Sequence, residues 1–271
     1  MKGDEFIMKG KKPKNLNKIS FGEAMLFDGC GKLGLTALQA MVSSYLLLFY
    51  VKCGLELKKV AVIFLVSKLF DAFNDVLSAY FFDKIPKNNF TRLKIIGILC
   101  AFIYGINGLL LFLGPYWSMG NKTLQYVIVW VTYLLYGITT DLVEIPNNMF
   151  SALQTENVNQ RANVQPFKAI GQILGGVIVT MLFPIVVSNM RTKTGGNDLQ
   201  AYVSMVWMIF AVIVILTPLA IIAVKKRVNT IQSEEKIKLG DIFRCLKVKE
   251  VFVACAVQIG VTGGVSVIYS T

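Results

Sequence analysis

The residues of this chain with the clearest chemical potential lie in one stretch, residues 67–78, inside a longer apolar run. At about 100° per residue, the polar members of this stretch share a helix face roughly 120° wide. They are Ser67, Lys68, Asp71, Asn74, Asp75 and Ser78. A charge in the middle of a membrane-spanning helix costs roughly 2.5–3.5 kcal/mol, so such charges mark binding or pairing. The face predicts either a ligand site or a closed ion-pair network of Lys68 with Asp71 and Asp75.

A second polar face is predicted in the apolar run 124–148. At helical spacing its polar and small residues lie within an arc of roughly 100°. They are Tyr133, Gly137, Thr140, Asp141, Glu144 and Asn148. Lys168 begins the next apolar run and adds a basic residue close by.

These two faces predict one shared site if their helices are neighbours. Its charged groups are those of Asp71, Asp75, Asp141, Glu144, Lys68 and Lys168. Clustered carboxylates beside an amide form a hard-oxygen site for Na⁺ or Li⁺, or accept a proton. A carboxylate also accepts charge-assisted hydrogen bonds from sugar hydroxyls, and an aromatic ring such as Tyr133 can stack on a sugar.

The elements that position these residues are predicted to be membrane-spanning helices. The chain is 55% hydrophobic and only 16% charged, which is typical of a polytopic membrane protein. Apolar segments long enough to span a bilayer lie at 32–51, 60–82, 93–113, 124–148, 169–187 and 202–224, and a seventh begins near 251. We therefore predict an all-α polytopic membrane protein. Six helices before a long polar loop is the layout of the N-terminal half of a major facilitator transporter.

Lysine and arginine set the predicted orientation. They are concentrated in the N-terminal tail and in alternate loops, which places the N-terminus in the cytoplasm of a multi-pass protein of the plasma membrane. The net charge of +12 is therefore interpreted as a topology signal, not as a nucleic-acid-binding surface. The predicted divisions are a tail and helix entry at 1–31, a six-helix bundle at 32–224, a cytoplasmic loop at 225–250 and a truncated seventh helix at 251–271.

Several classes of function are disfavoured by the sequence. There is no histidine, and the five cysteines have no metal-ligand spacing, so no resident cofactor is expected. No nucleophile–base pair is recognisable, which argues against an enzyme.

Three charged residues near the start are interpreted as lying outside the site. Glu23 and Asp28 precede the first apolar run and are expected to face the cytoplasm. Lys32, at the helix entry, is expected to extend its ammonium group towards the interface.

Four sequence motifs resemble those of a known family. Residues 43–50 read SSYLLLFY, and residues 68–75 read KLFDAFND, similar to the family pattern R-x-x-D-A-x-N-D. TYLLYG at 132–137 is followed by EIP at 144–146, and QRAN at 160–163 leads to FKAIG at 167–171. With these motifs the chain resembles the glycoside–pentoside–hexuronide:cation symporters of the major facilitator superfamily.

The resemblance implies roles for individual residues. Asp71, Asn74 and Asp75 would bind the coupling cation, Na⁺ or H⁺. Glu144 and Lys168 would bind or orient the sugar. Asp141 falls where the family has a cation-site threonine, and Asn148 falls where it has a sugar-stacking tryptophan.

The resulting expectation is a symporter that moves a sugar or glycoside with a cation by alternating access. Residue 271 is expected to interrupt a helix, so the second half of the same chain would be a partner. Two alternatives stay open: a carrier of lysolipids or other amphiphiles from the same superfamily, and a membrane sensor without transport activity.

Overall fold

The computed structural model of the chain describes residues 19–83, 90–155, 157–194 and 198–228, all within one compact unit, Met1–Thr230. The predicted N-terminal tail up to residue 18, most of the predicted 225–250 loop and the predicted seventh helix lie outside the described residues.

The described residues are organised as six long helices, and no β-strand occurs among them. The helices are α1 (Phe21–Lys52), α2 (Leu57–Asp83), α3 (Phe90–Trp117), α4 (Lys122–Gln154), α5 (Val158–Thr194) and α6 (Leu199–Ala223). Helices suit this composition because a lipid-exposed segment must satisfy its backbone hydrogen bonds internally. The prediction of an all-α fold is confirmed.

Membrane-spanning character follows from length and composition. Five of the described helices, all except α2, are long and apolar enough to cross a membrane. Helix α2 has comparable length but carries Lys68, Asp71 and Asp75 in its middle.

Packing divides the helices into two groups that meet at α3. Helix α1 packs mainly on α5 and α6, and α4 packs mainly on α3 and α2, while α3 also packs along α6. Close approach of α5 to α1 depends on small residues, because a Cβ at Gly171 would overlap the carbonyl oxygen of Gly29. Gly175 is similarly close to Thr36. These glycines therefore serve helix packing.

A tight turn joins α1 to α2. Gly54 has a φ of +80°, a left-handed conformation that glycine adopts without a Cβ penalty. The ammonium group of Lys122, at the start of α4, donates to the carbonyl oxygens of Cys53 at 3.2 Å and Gly54 at 3.0 Å. The turn is thus fixed against the neighbouring helix.

The first helix begins earlier than the sequence predicts. Within the segment 1–31, predicted as a tail and helix entry, α1 already begins at Phe21 and passes through a π-helical segment, Ala24–Cys30. Glu23 and Asp28 are 6% and 3% exposed, so the prediction that they face the cytoplasm is wrong. Both carboxylates have partners elsewhere in the chain: Asp28 accepts a hydrogen bond from Gln154, at 3.4 Å.

Glu23 is bound by the extension that follows α6, residues 224–228. The Arg227 guanidinium makes two hydrogen bonds to the Glu23 carboxylate, of 2.8 and 2.6 Å. The hydrogen bonds from Arg227 to Glu23 raise the pKa of the guanidinium. The backbone N–H groups of Arg227 and Val228 both donate to the carbonyl of Leu153 at the end of α4. The extension therefore joins the start of α1 to the end of α4.

Candidate functional site

A polar cavity of about 620 Å³ lies between α1, α2 and α4. We call it the central cavity. Helix α1 supplies Gln39, Val42 and Ser43; α2 supplies Phe64, Lys68 and Asp71; α4 supplies Tyr133, Tyr136, Gly137, Thr140 and Asp141. The two polar faces predicted from the sequence therefore meet across one space.

Asp71 is the best-defined acid of the cavity. Its Oδ2 accepts from the Lys68 ammonium group at 2.9 Å, and the other oxygen, Oδ1, is buried without a hydrogen-bond partner. A Cβ at Gly137 would overlap this carboxylate, so glycine on α4 makes room for it. A buried carboxylate oxygen without a donor is costly to retain, which suits a position that a bound cation completes.

Asp141 lies on the opposite wall and is tied to α2. Its Oδ2 accepts from the side-chain amide of Asn74 at 2.7 Å, and Asn74 is only 8% exposed. This hydrogen bond connects α2 to α4 beside the central cavity. The side chain of Asp75 lies outside the described residues.

Aromatic rings form a row along the cavity. Phe64 stacks on Tyr133 with ring centroids 4.2 Å apart, and Tyr136 is stacked between Tyr133 and Tyr104. Thr140, one turn beyond Tyr136, donates to the Tyr136 carbonyl at 2.7 Å. Stacked rings beside hydroxyl and carboxylate groups suit a ligand with both apolar faces and hydroxyls.

Glu144 lies beside a smaller cavity of about 20 Å³, room for roughly one water. Its Oε1 accepts from the side-chain amide of Gln39 at 2.9 Å. Lys32 lines the same small cavity and is within electrostatic range of Glu144. Gln39 and Thr140 line both this cavity and the central one.

Besides Glu144, two of the predicted substrate residues lie outside the central cavity. Lys168 and Asn148 line a third cavity of about 240 Å³, together with Asp28 and Arg161. Lys168 is within electrostatic range of Lys32 and Asp28. The structure therefore brings Lys68, Asp71, Tyr133, Thr140 and Asp141 to the central cavity, with Asn74 hydrogen-bonded behind it. It does not bring Glu144, Lys168 or Asn148 to the lining of that cavity.

Some residues of the site were missed at the sequence level. The signal for Gln39 was an amide inside an apolar run. Gln39 also lies seven residues after Lys32, so both side chains lie on a similar face of α1. Phe64 and Tyr104 carry no such signal, because aromatic residues are common in apolar helices.

Carboxylate and amide oxygens are hard ligands, the kind that suits a monovalent cation or a proton. Within the described part of the chain, no three His, Cys, Asp or Glu side chains gather closely enough to hold a metal ion. Two carboxylates and an amide, Asp71, Asp141 and Asn74, provide hard oxygen ligands with limited negative charge.

Comparison with known proteins relates this chain to transport proteins. A family model described as MFS/sugar transport protein matches residues 27–265. The chain is 26% identical to the "Uncharacterized symporter YnaJ" of Bacillus subtilis over 93% of its own length and 54% of that protein. It is 25% identical to a "Putative 2,3-dihydroxypropane-1-sulfonate exporter" of Salmonella typhimurium, over 92% of its own length and 54% of that protein.

A third relative is a "Putative sulfoquinovose importer" of Escherichia coli, 25% identical over 61% of this chain and 35% of that protein. The chain spans about half the length of the two relatives that match most of it. The matched relatives are named as transport proteins. On the extent of the family match, and with six long helices in the part of the chain that the structure describes, this chain belongs to the MFS/sugar transport protein family.

Proposed function

We propose that this chain is the N-terminal bundle of a cation-coupled symporter for a sugar or glycoside. The observation that carries the proposal is the central cavity, which Asp71 and Asp141 both line and where one buried oxygen of Asp71 has no hydrogen-bond donor. A cavity of about 620 Å³ also falls within the range of small-molecule sites, roughly 300–1,000 Å³.

The cation would be Na⁺, Li⁺ or H⁺, held by Asp71, Asn74, Asp75 and Asp141. Before it binds, the Lys68 ammonium group neutralises part of the charge of Asp71. A cation at Oδ1 would supply the missing partner of that oxygen and reduce the repulsion between the carboxylates. Each oxygen ligand that the cation gains would stabilise the site, so the state with the cation bound would be favoured.

The sugar would lie nearer to Glu144. Its hydroxyls can donate to that carboxylate, and its ring can stack on Tyr133, with Thr140 at the junction of the two cavities. Lys168 and Asn148 would contact the substrate from their separate cavity in another state of the transport cycle. Two relatives are named for hydroxylated sulfonates, so such compounds belong among the substrates to be tested.

Coupling between cation and sugar follows from the spacing on α4. Asp141 and Glu144 lie on adjacent positions of one helix face, three residues apart. A shift of α4 caused by one ligand therefore changes the site of the other, and each ligand should raise the affinity for the other. Alternating access would come from rocking of this bundle against a second bundle, with the N-terminus in the cytoplasm of a plasma-membrane protein.

The proposal is tested with the complete reading frame that contains these residues, purified and reconstituted into liposomes. Uptake of a labelled glucoside, pentose, hexuronate and sulfoquinovose is measured with and without an inward Na⁺ gradient or proton gradient. The expected result is uptake of at least one compound that depends on one gradient. Facilitated uptake that ignores both gradients would contradict the cation-coupled mechanism, and uptake of none would contradict the sugar symporter.

A further inference from the structure

The hydrogen bond between Gln39 and Glu144 joins two helices that otherwise pack on different neighbours. Helix α1 packs on α5 and α6, whereas α4 packs on α3 and α2. The amide of Gln39 reaches across from α1 and donates to Oε1 of Glu144 at 2.9 Å. The contact therefore crosses the edge of the central cavity, outside the main helix–helix interfaces.

The hydrogen bond from Gln39 holds one oxygen of the Glu144 carboxylate, Oε1. Glu144 is exposed to the cavity side, so without a partner its side chain would sample several rotamers. Oε2 has no hydrogen bond within the described residues and stays available. An exposed acid held by one oxygen is already oriented to accept a hydroxyl with the other, which lowers the entropy lost on binding.

The same arrangement occurs one turn earlier on α4. Asn74 from α2 donates to Asp141 at 2.7 Å, just as Gln39 from α1 donates to Glu144. Each of these two carboxylates on α4 is thus held by an amide from a different flanking helix. In both cases the donor is an uncharged amide, which brings no positive charge of its own.

We propose that Gln39 is a positioning residue for the substrate carboxylate Glu144. The inference rests on the proposed function, because it assigns Gln39 a role in sugar binding through Glu144. Loss of the Gln39 amide should weaken sugar binding without changing the cation site, which is built from Asp71, Asn74 and Asp141.

The test is a double-mutant cycle in the complete reading frame, with Gln39→Leu, Glu144→Gln and the double variant. Sugar half-saturation, cation half-saturation and maximal rate are measured with the compound that wild type takes up best. Gln39→Leu should raise sugar half-saturation about 10-fold, the size expected for a hydrogen bond to a charged group. Cation half-saturation and maximal rate should change by less than roughly 2-fold.

In the Glu144→Gln background, Gln39→Leu should have less than about a 2-fold further effect, because the group that it orients has lost its charge. The matched control is Gln200→Leu, which makes the same substitution at an exposed position at the start of α6.

Two results would overturn the assignment while the proposed function stands. One is a Gln39→Leu variant that takes up sugar as fast as wild type and has the same sugar half-saturation. The other is a Gln39→Leu effect that is just as large in the Glu144→Gln background, as expected of independent structural packing. If wild type takes up no sugar with either gradient, the proposed function fails and the role of Gln39 fails with it.

Discussion

At the scale of single residues, the chemistry depends on how each carboxylate is satisfied. Asp71 has an ammonium partner on one oxygen and none on the other, Asp141 has an amide, and Glu144 has an amide from a different helix. The three acids therefore differ in what they still need. Asp71 lacks a positive partner for Oδ1, whereas Glu144 keeps a second oxygen for a hydroxyl donor.

Removal of a cation ligand should abolish the stimulation of sugar uptake by the coupling cation. Asp71→Cys and Asp75→Cys, each in the complete reading frame, are expected to abolish cation-stimulated sugar uptake because both remove a negatively charged oxygen ligand. The measurement is initial uptake by liposomes across a series of ion concentrations. Variants that take up sugar as fast as wild type, with the same ion dependence, would rule out the proposed cation site.

Loss of charge at Glu144 should act on the other ligand. Glu144→Gln keeps the size of the side chain but weakens the hydrogen bonds that it accepts, since bonds to a charged group contribute about 1.5–3 kcal/mol. Sugar half-saturation should rise about 10-fold or more, with a smaller change in cation half-saturation. An equal loss of both affinities, or of neither, would contradict the assignment of Glu144 to the sugar.

Periodicity was sufficient to find the two polar faces, because charges inside apolar helices are rare and their spacing fixes a common side. It was not sufficient for Glu23 and Asp28. Their partners, Arg227 and Gln154, lie 204 and 126 residues away along the chain. Local sequence therefore shows an acid without showing what neutralises it.

At the scale of elements, the site depends on close contact of helices through glycine. Gly171 places α5 against the Gly29 carbonyl of α1, and Gly137 leaves room on α4 for Asp71 from α2. Gly175 makes the same kind of close approach, because a Cβ there would overlap Thr36 of α1. Gly176 differs, because a Cβ there would meet nothing within 4 Å. Sequence alone could not separate Gly175 from Gly176, since the two are adjacent and only the packing of α1 distinguishes them.

A pair of glycine variants tests this contact. Gly171→Ala should destabilise the fold by about 1–3 kcal/mol, since its Cβ would meet backbone that cannot move without separating the helices. Gly176→Ala is the matched control and should be neutral, or stabilising by up to about 1 kcal/mol through helix propensity. The measurement is the unfolding temperature in detergent. Equal unfolding temperatures for the two variants would contradict the close α1–α5 approach.

At the scale of the whole molecule, long-range polar contacts close one end of the described bundle. The Glu23–Arg227 ion pair is almost fully buried, with side chains 4% and 11% exposed. Lys94 of α3 donates to the Ile222 carbonyl near the end of α6 at 2.7 Å. The start of α1, the start of α3 and the end of α4 are all tied to the last residues of α6 and its extension. Helix positions could be predicted from hydropathy, but this closure could not, because its groups come from four separate helices.

Breaking the Glu23–Arg227 pair should have a large effect on stability. Glu23→Gln removes the carboxylate that the guanidinium binds, and loss of one partner of a buried pair costs about 3–5 kcal/mol. Arg227→Gln should cost a similar amount, and the exchange Glu23→Arg with Arg227→Glu should recover part of the loss. The measurement is again the unfolding temperature in detergent, with the exposed pair Glu56 and Lys59 as the control for charge removal. A charge exchange that is less stable than both single variants would show that packing, not the ion pair, holds the extension.

The π-helical segment in α1 has a consequence for how the family can vary in length. A π turn contains one residue more than an α turn, so Ala24–Cys30 behaves as a place where the chain has accepted an insertion. Deletion of one residue there would allow a regular helix while leaving Gly31–Lys52 in place. It would also rotate everything before the segment by about 100° and turn Glu23 away from Arg227. Related chains should therefore keep the length of this segment together with the acid–arginine pair, or lose both.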